Sequence, residues 1–291
     1  MNAIGRESAS GSASAYDVAR LQQSYEHQYS HFREGDWAFH DTSDPVMRYL
    51  RDRRLRVAVD ALIEAMGLQP EQWTALVVCG GVGGEGTYLA NRGCRSVVVS
   101  DFSAHALGIC ERRDPRLRTR QLNAEALDVP DDSYDVVLVQ DGLHELRRPV
   151  LGLTEMMRVA RRAVAVIEPH RGIVSHLFGR VWERHEDHYP EAEAGEGAAA
   201  DRVGENYVFR WNAQLFTDVA RSYLMKEASD VKVIRFWNHH PIVGRVAGLA
   251  GGGRLGLLAA RATYGLLDRT AWWIGNAMVG IVTKNATRRN G

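Results

Sequence analysis

Apolar positions follow two rhythms along this chain. Between residues 74 and 168, short runs such as Leu76-Val77-Val78, Val97-Val98-Val99 and Val136-Val137-Leu138-Val139 have no polar face. The stretches between them repeat apolar residues every three or four positions. Uninterrupted runs describe strands buried on both sides, and the longer period describes helices laid over them. The pattern predicts strands at 74–79, 96–100, 117–121, 134–139 and 163–168, alternating with helices at 84–92, 103–112 and 149–162. Two further helices, 17–33 and 44–66, precede the first strand. The second carries Met47, Leu50, Leu55, Val57, Leu62 and Met66 on a broad apolar face and stops at Gly67. Such alternation specifies an α/β fold with a doubly wound, mostly parallel sheet.

Beyond residue 168 the rhythm changes. Aromatic, histidine and acidic clusters over 170–206 include the Ala/Gly/Glu-rich run 192–200 and read as an inserted cap with a loop. Residues 212–226 return to a helical pattern, and 231–237 with 276–284 supply two last strands. Between these strands lies 242–275, rich in Gly, Ala and Leu and carrying Trp272 and Trp273. It can pack over a substrate, form a dimer surface or touch a membrane. The expected division is a tail over 1–15, an N-terminal helical cap over 16–68, and an α/β domain over 69–291. That domain contains a substrate cap at 170–210 and the apolar insertion at 242–275.

Composition narrows the function classes. The 36 basic and 36 acidic residues cancel, which disfavours nucleic acid as the main partner, because phosphate binding draws on a concentrated basic surface. Cys79, Cys94 and Cys110 have no CxxC spacing and suit a reduced compartment rather than a disulfide scaffold. No basic segment followed by an apolar one opens the chain, and no apolar run is long enough for a transmembrane span. The expectation is a cytoplasmic protein.

The chemistry-bearing residues cluster at predicted strand ends. Cys79-Gly80-Gly81-Val82-Gly83-Gly84-Glu85-Gly86 follows the first strand, where glycines let backbone approach a ligand and the next helix aims N–H groups at it. Asp101 ends the second strand, placed either to accept hydrogen bonds from a ribose or to cap the helix that follows. Asn123-Ala124-Glu125 precedes the turn Pro130 to Asp135, and strand 134–139 runs into Gln140-Asp141-Gly142-Leu143-His144-Glu145. His144 is the candidate catalytic base or acceptor-orienting group, since imidazole exchanges a proton near neutral pH; a structural cap is the competing account.

The glycine loop, Asp101 after the second strand, the turn Pro130 to Asp135 and the late strand ending at Glu168, in this order, resemble the class I S-adenosylmethionine-dependent methyltransferases over roughly residues 70–170. The resemblance implies a seven-stranded sheet with variable caps and S-adenosylmethionine as cofactor. It also implies Gly81 and Gly83 beside the methionine portion, Asp101 on the ribose, and Asn123, Ala124 and Glu125 around adenine. Cys79, Phe102 after Asp101, and Gln140 complete the implied cofactor set. Two departures stand out: Val77 replaces a common acidic residue, and Cys79 replaces the first motif glycine, so the cofactor's amino group would need another carboxylate, with Glu85 a candidate, or a backbone carbonyl. Gly81-Val82-Gly83-Gly84-Glu85-Gly86 also satisfies the dinucleotide spacing, so an NAD-dependent oxidoreductase is an alternative. A noncatalytic cofactor-binding or assembly protein is another.

For the acceptor, Trp182, His185, Tyr207 and Arg210 are candidate contacts alongside His144, and they favour a small molecule, aromatic or amphipathic. The sequence His185-Glu186-Asp187-His188 lacks the i,i+4 histidine pair of a zinc helix, and no metal is assigned. Residues 242–275 remain a candidate homo-oligomer surface.

Overall fold

The apolar runs become one seven-stranded sheet. The computed structural model describes residues 18–30, 42–170, 209–224, 229–238 and 240–284. Helices α1 (Val18–Ser30) and α2 (Pro45–Met66) lead into β1 (Thr74–Val78), α3 (Gly84–Asn91), β2 (Ser96–Asp101), α4 (Ala104–Arg113) and β3 (Arg118–Gln121). Then come β4 (Tyr134–Gln140), α5 (Pro149–Val159), β5 (Ala160–Pro169), α6 (Ala213–Leu224) and β6 (Ser229–Phe236). Last are α7 (His240–Leu249), α8 (Gly253–Thr270) and β7 (Ala277–Lys284).

The strand order is β3-β2-β1-β4-β5-β7-β6. Pairings among β1 to β5 are parallel, and β7 runs antiparallel to both β5 and β6. The chain leaves β1 toward β2 and later returns to β4 on the other side, so a crevice opens at the carboxyl ends of β1 and β4. That reversal is where open α/β sheets bind ligands. The reversed β7 departs from the 3-2-1-4-5-6 order of dinucleotide-binding sheets.

Alternate strand residues face opposite layers. Val77, Val99 and Leu138 pack with Leu55, Ala58, Val59 and Leu62 of α2, whereas Leu76, Val137 and Val139 pack with Leu153 and Met156 of α5 and Phe216 of α6. Each such buried Val, Leu, Met or Phe side chain contributes roughly 1.5–3 kcal/mol. Helix α2 begins where the Asp44 side chain accepts from the Met47 N–H at 2.8 Å. It ends at Gly67, whose φ of 65° only glycine adopts without strain.

One boundary moved. The helix expected over 149–162 stops at Val159 and β5 starts at Ala160, because Ala160 already pairs with Tyr134. Asp135 then draws in Arg161 at 3.1 Å and Arg162 at 3.3 Å. The insertion 242–275 forms α7, α8 and a short turn, and its buried face lies against α2 through Val46, Tyr49, Leu50, Val243, Ala260 and Tyr264. Arg53 clamps this contact: its guanidinium lies 3.9 Å from the Tyr264 ring centre and its Nε donates to the Trp237 carbonyl at 3.0 Å. It also pairs with Asp268.

Gly280 in β7 is where the Phe216 ring of α6 lies directly on the sheet, leaving no room for a Cβ. Gly280→Val should therefore lower stability by about 1–3 kcal/mol in urea unfolding, the usual cost of overpacking a filled core.

Candidate functional site

The loop after β1 is shaped by backbone conformation. Cys79 and Gly81 have φ of 53° and 47°, and Gly83, at 88°, opens α3. The Gly83 N–H donates to the Gly80 carbonyl at 2.8 Å, closing a tight turn. Cys79 fits because Gly142 faces it: a Cβ on Gly142 would lie 2.5 Å from the Cys79 Cβ. Burial pushes the Cys79 thiol well above its ordinary value, reinforced by surrounding carboxylates. Val77 is buried in the α2 core layer, so no carboxylate occupies that position.

Asp101 joins this loop to the end of β2. One of its oxygens accepts from the Gly81 N–H at 2.9 Å and the other from the Ser103 N–H at 3.0 Å. Burial raises its carboxyl above the usual range, and these backbone donors partly oppose that. Ser103 is the N-cap of α4. Glu26 of α1 completes the cap, accepting from Ser103 Oγ at 2.7 Å and the Ala104 N–H at 2.6 Å. The ring of Tyr25 meets Phe102 edge-on at 6.3 Å, and its hydroxyl donates to the Glu145 carbonyl at 3.4 Å. Helix α1 thus bridges the ends of β2 and β4, a role its sequence rhythm did not announce.

At the end of β4, Gln140 Nε2 donates to Glu85 Oε1 at 3.2 Å, while the buried Gln140 Oε1 has no partner among the described residues. Burial pushes the Glu85 carboxyl up to about 7, aided by Asp141 and opposed by Arg54 and Arg113. Asp141, at φ 54°, receives both terminal nitrogens of Arg54 from α2. Burial works against the Arg54 charge, but Asp141, Glu85 and Glu168 outweigh it and raise its pKa. The sequence placed Asp141 within the run 140–145 at the strand end but did not single out Arg54, whose signal was a dense basic run, Arg51 to Arg56, on a helix that otherwise reads as core.

His144 stands between two carboxylates. Its Nδ1 pairs with the fully buried Glu168 at the end of β5, and its Nε2 lies 3.0 Å from Glu145 Oε1. Burial disfavours the charged ring, yet the hydrogen bonds it donates to Glu145 and Glu168 prevail and raise it to about 10. Glu168 also accepts from the Leu143 N–H at 2.9 Å. Donor atoms of Asp141, His144 and Glu168 lie within 4.8 Å of one another, near enough to converge on a cation. In this structure Asp141 is paired with Arg54, and Glu168 with His144.

Asn123 makes a local turn, its Oδ1 accepting from the Glu125 N–H at 2.9 Å. Ala124 and Glu125 are buried, and Glu125 accepts from the Arg148 N–H at 2.8 Å and its Nε at 2.7 Å, holding the start of α5. Arg210 is half-buried, and neighbouring Trp211 packs into the second core layer with Phe209 and Phe216 rather than lining a cleft. Trp182, His185 and Tyr207 lie outside the described residues, as do His188 and the tail 1–15.

Residues 76–167 match the profile of a family described as a methyltransferase domain. Demethylmenaquinone methyltransferases of Renibacterium salmoninarum and Beutenbergia cavernae are each 33% identical to this chain over 122 residues, 42% of this chain. The chain spans about half the length of these curated relatives, 49% in each case. Among solved structures, an S-adenosylmethionine-dependent methyltransferase from Thermotoga maritima, described as a possible histamine N-methyltransferase, superposes with TM-score 0.54 at 14% identity. It covers 92% of this chain and 100% of its own. Magnesium protoporphyrin IX methyltransferase from Synechocystis, solved with bound S-adenosylhomocysteine, gives 0.52 at 9% identity with the same coverages. Those two likenesses concern the fold. The glycine loop, Asp101 and the β4 mouth all fall inside residues 76–167, the segment that matches the methyltransferase-domain family.

Proposed function

We propose that this chain transfers a methyl group from S-adenosylmethionine to a small-molecule acceptor, aromatic or amphipathic in character. The observation that carries the reading is the unpartnered buried oxygen of Gln140 beside Glu85, at the mouth of the glycine loop. A buried acceptor without a donor is costly, and Gln140 Oε1 would find the missing donor in the cofactor's ammonium group. Glu85 and Gln140 would hold that ammonium in place of the acid absent at Val77. The Gly81–Gly83 backbone would lie along the methionine portion with Cys79. Asp101 would take the ribose with Phe102 beside it, and Asn123, Ala124 and Glu125 would border adenine. When bound, the cofactor supplies an electrophilic methyl on a sulfonium centre.

The protein's own contribution is placement and proton handling. His144, in its neutral form, would accept the acceptor's proton at Nε2, leaving the acceptor atom's electron pair free to take the methyl group that a bound cofactor would supply. Glu168, fixed on Nδ1, stabilises the imidazolium so produced. The partly exposed Glu145 holds Nε2 in this structure, so an acceptor would take its place. Support for an amphipathic acceptor comes from the curated relatives, whose names specify demethylmenaquinone. Arg210, with Trp182, His185 and Tyr207, is proposed to contact it.

Calorimetry should show micromolar or tighter binding of S-adenosylmethionine and S-adenosylhomocysteine and none of NAD, with Asp101→Ala weakening both by about tenfold or more. Preferential NAD binding would contradict the proposal. Activity should depend on pH in a defined direction. His144 is charged below about 10 while Glu145 holds it, so the neutral fraction of the free enzyme, and with it kcat/KM, should rise about tenfold per pH unit between pH 7 and 9. His144→Ala should lose about 10²–10⁴ in kcat with cofactor affinity retained. An unchanged rate would remove the base role.

A further inference from the structure

The face of α8 opposite its packing side is apolar and uncovered. Gly256, Ala260 and Tyr264 are buried against α2 and α7. Leu255, Leu258 and Leu266 lie on the other side at helical spacing and are 66%, 60% and 63% exposed. Leu249, at the end of α7, is 91% exposed, and Trp272 and Trp273, in the turn that follows α8, are 46% and 54% exposed.

Charge decides the occupant. Over residues 240–275 the charged side chains are Arg245, Arg254, Arg261, Arg269 and Asp268, and the one acid is paired to Arg53. All four arginines are exposed. Two copies of this face would bring arginine rims together, whereas an anionic surface complements them. Leucines on one helical face, arginines at the rim and tryptophans at one end match the requirements of a helix lying in a bilayer interface. Among the described residues no helix is long and apolar enough to cross a membrane, so any contact made here lies in the surface plane. We propose that α7, α8 and the Trp272-Trp273 turn form a docking surface for an anionic lipid bilayer.

The surface is mechanically continuous with the site. One helix, α2, packs Tyr49 against Tyr264 of α8 and delivers Arg54 to Asp141 at the mouth of β4. A docked protein would meet an amphipathic acceptor where such molecules partition. Docking does not depend on methyl transfer, and each can fail alone.

The test is co-sedimentation of the full chain with phosphatidylcholine vesicles containing phosphatidylglycerol, against vesicles of phosphatidylcholine alone. The protein should bind the anionic vesicles selectively, with a blue shift in tryptophan emission and release at high salt. The triple variant Leu255→Glu, Leu258→Glu, Leu266→Glu should lose binding while retaining S-adenosylhomocysteine affinity or, should that ligand not bind even the parent chain, its thermal unfolding. Arg254→Ser and Arg261→Ser, which leave the apolar stripe intact, should each weaken it about fivefold, the equivalent of roughly 1 kcal/mol per basic side chain near an anionic surface. Failure to bind anionic vesicles would overturn the proposal. So would equal binding by the triple variant, or a stable dimer in solution that the triple variant splits.

Discussion

Arg54 reaches from α2 across the carboxyl edge of the sheet and closes two nitrogens on Asp141. Without that cation Glu85, Asp141 and Glu168 would crowd a space from which water is largely excluded, and such a cluster cannot stay ionised unaided. The pKa of Glu85, pushed up to about 7, shows how near the balance lies even with Arg54 present. The ion pair also fixes α2 over the sheet, and α2 in turn seats α7 and α8 through Tyr49 and Arg53. One half-buried cation therefore links the chemistry of the cleft to the placement of the outer helices.

A second constraint is the carboxylate of Asp101. It holds the Gly81 and Ser103 N–H groups simultaneously and so joins the glycine loop to the start of α4. Glu26 reinforces the same corner from α1. Hydrogen bonds of this kind set the loop's shape before any ligand arrives, which lowers the ordering cost of binding.

Much of the sheet was legible because its strands are buried on both faces and leave uninterrupted apolar runs. Val136 to Val139 could be placed without tertiary information. The α5–β5 boundary could not, since Arg161 and Arg162 read as a polar continuation of the helix until Asp135 is known to lie beside them. The glycine loop and Asp101 were legible from local spacing. Arg54, Tyr25 and Glu26 were not, because they come from helices outside the repeating α/β unit and their partners are 77 or more residues away in the chain. The tolerance of Cys79 was hidden for the same reason: it rests on the absent side chain of Gly142, visible only once β1 and β4 stand side by side. The insertion 242–275 kept three sequence readings open, and its packing against α2 assigned one face while leaving the leucine face outward.

The account's central claim is that Glu85 and Gln140, rather than an acid at position 77, receive the amino-acid end of the cofactor. Titration calorimetry of S-adenosylhomocysteine and of methylthioadenosine, which lacks that end, tests it directly in the parent protein and in the Glu85→Gln/Gln140→Leu variant. The variant should lose about tenfold or more in affinity for S-adenosylhomocysteine, the expected cost of a charged hydrogen bond, and keep its affinity for methylthioadenosine. Equal affinities for S-adenosylhomocysteine in parent and variant, or an equal fall for both ligands, would contradict the claim.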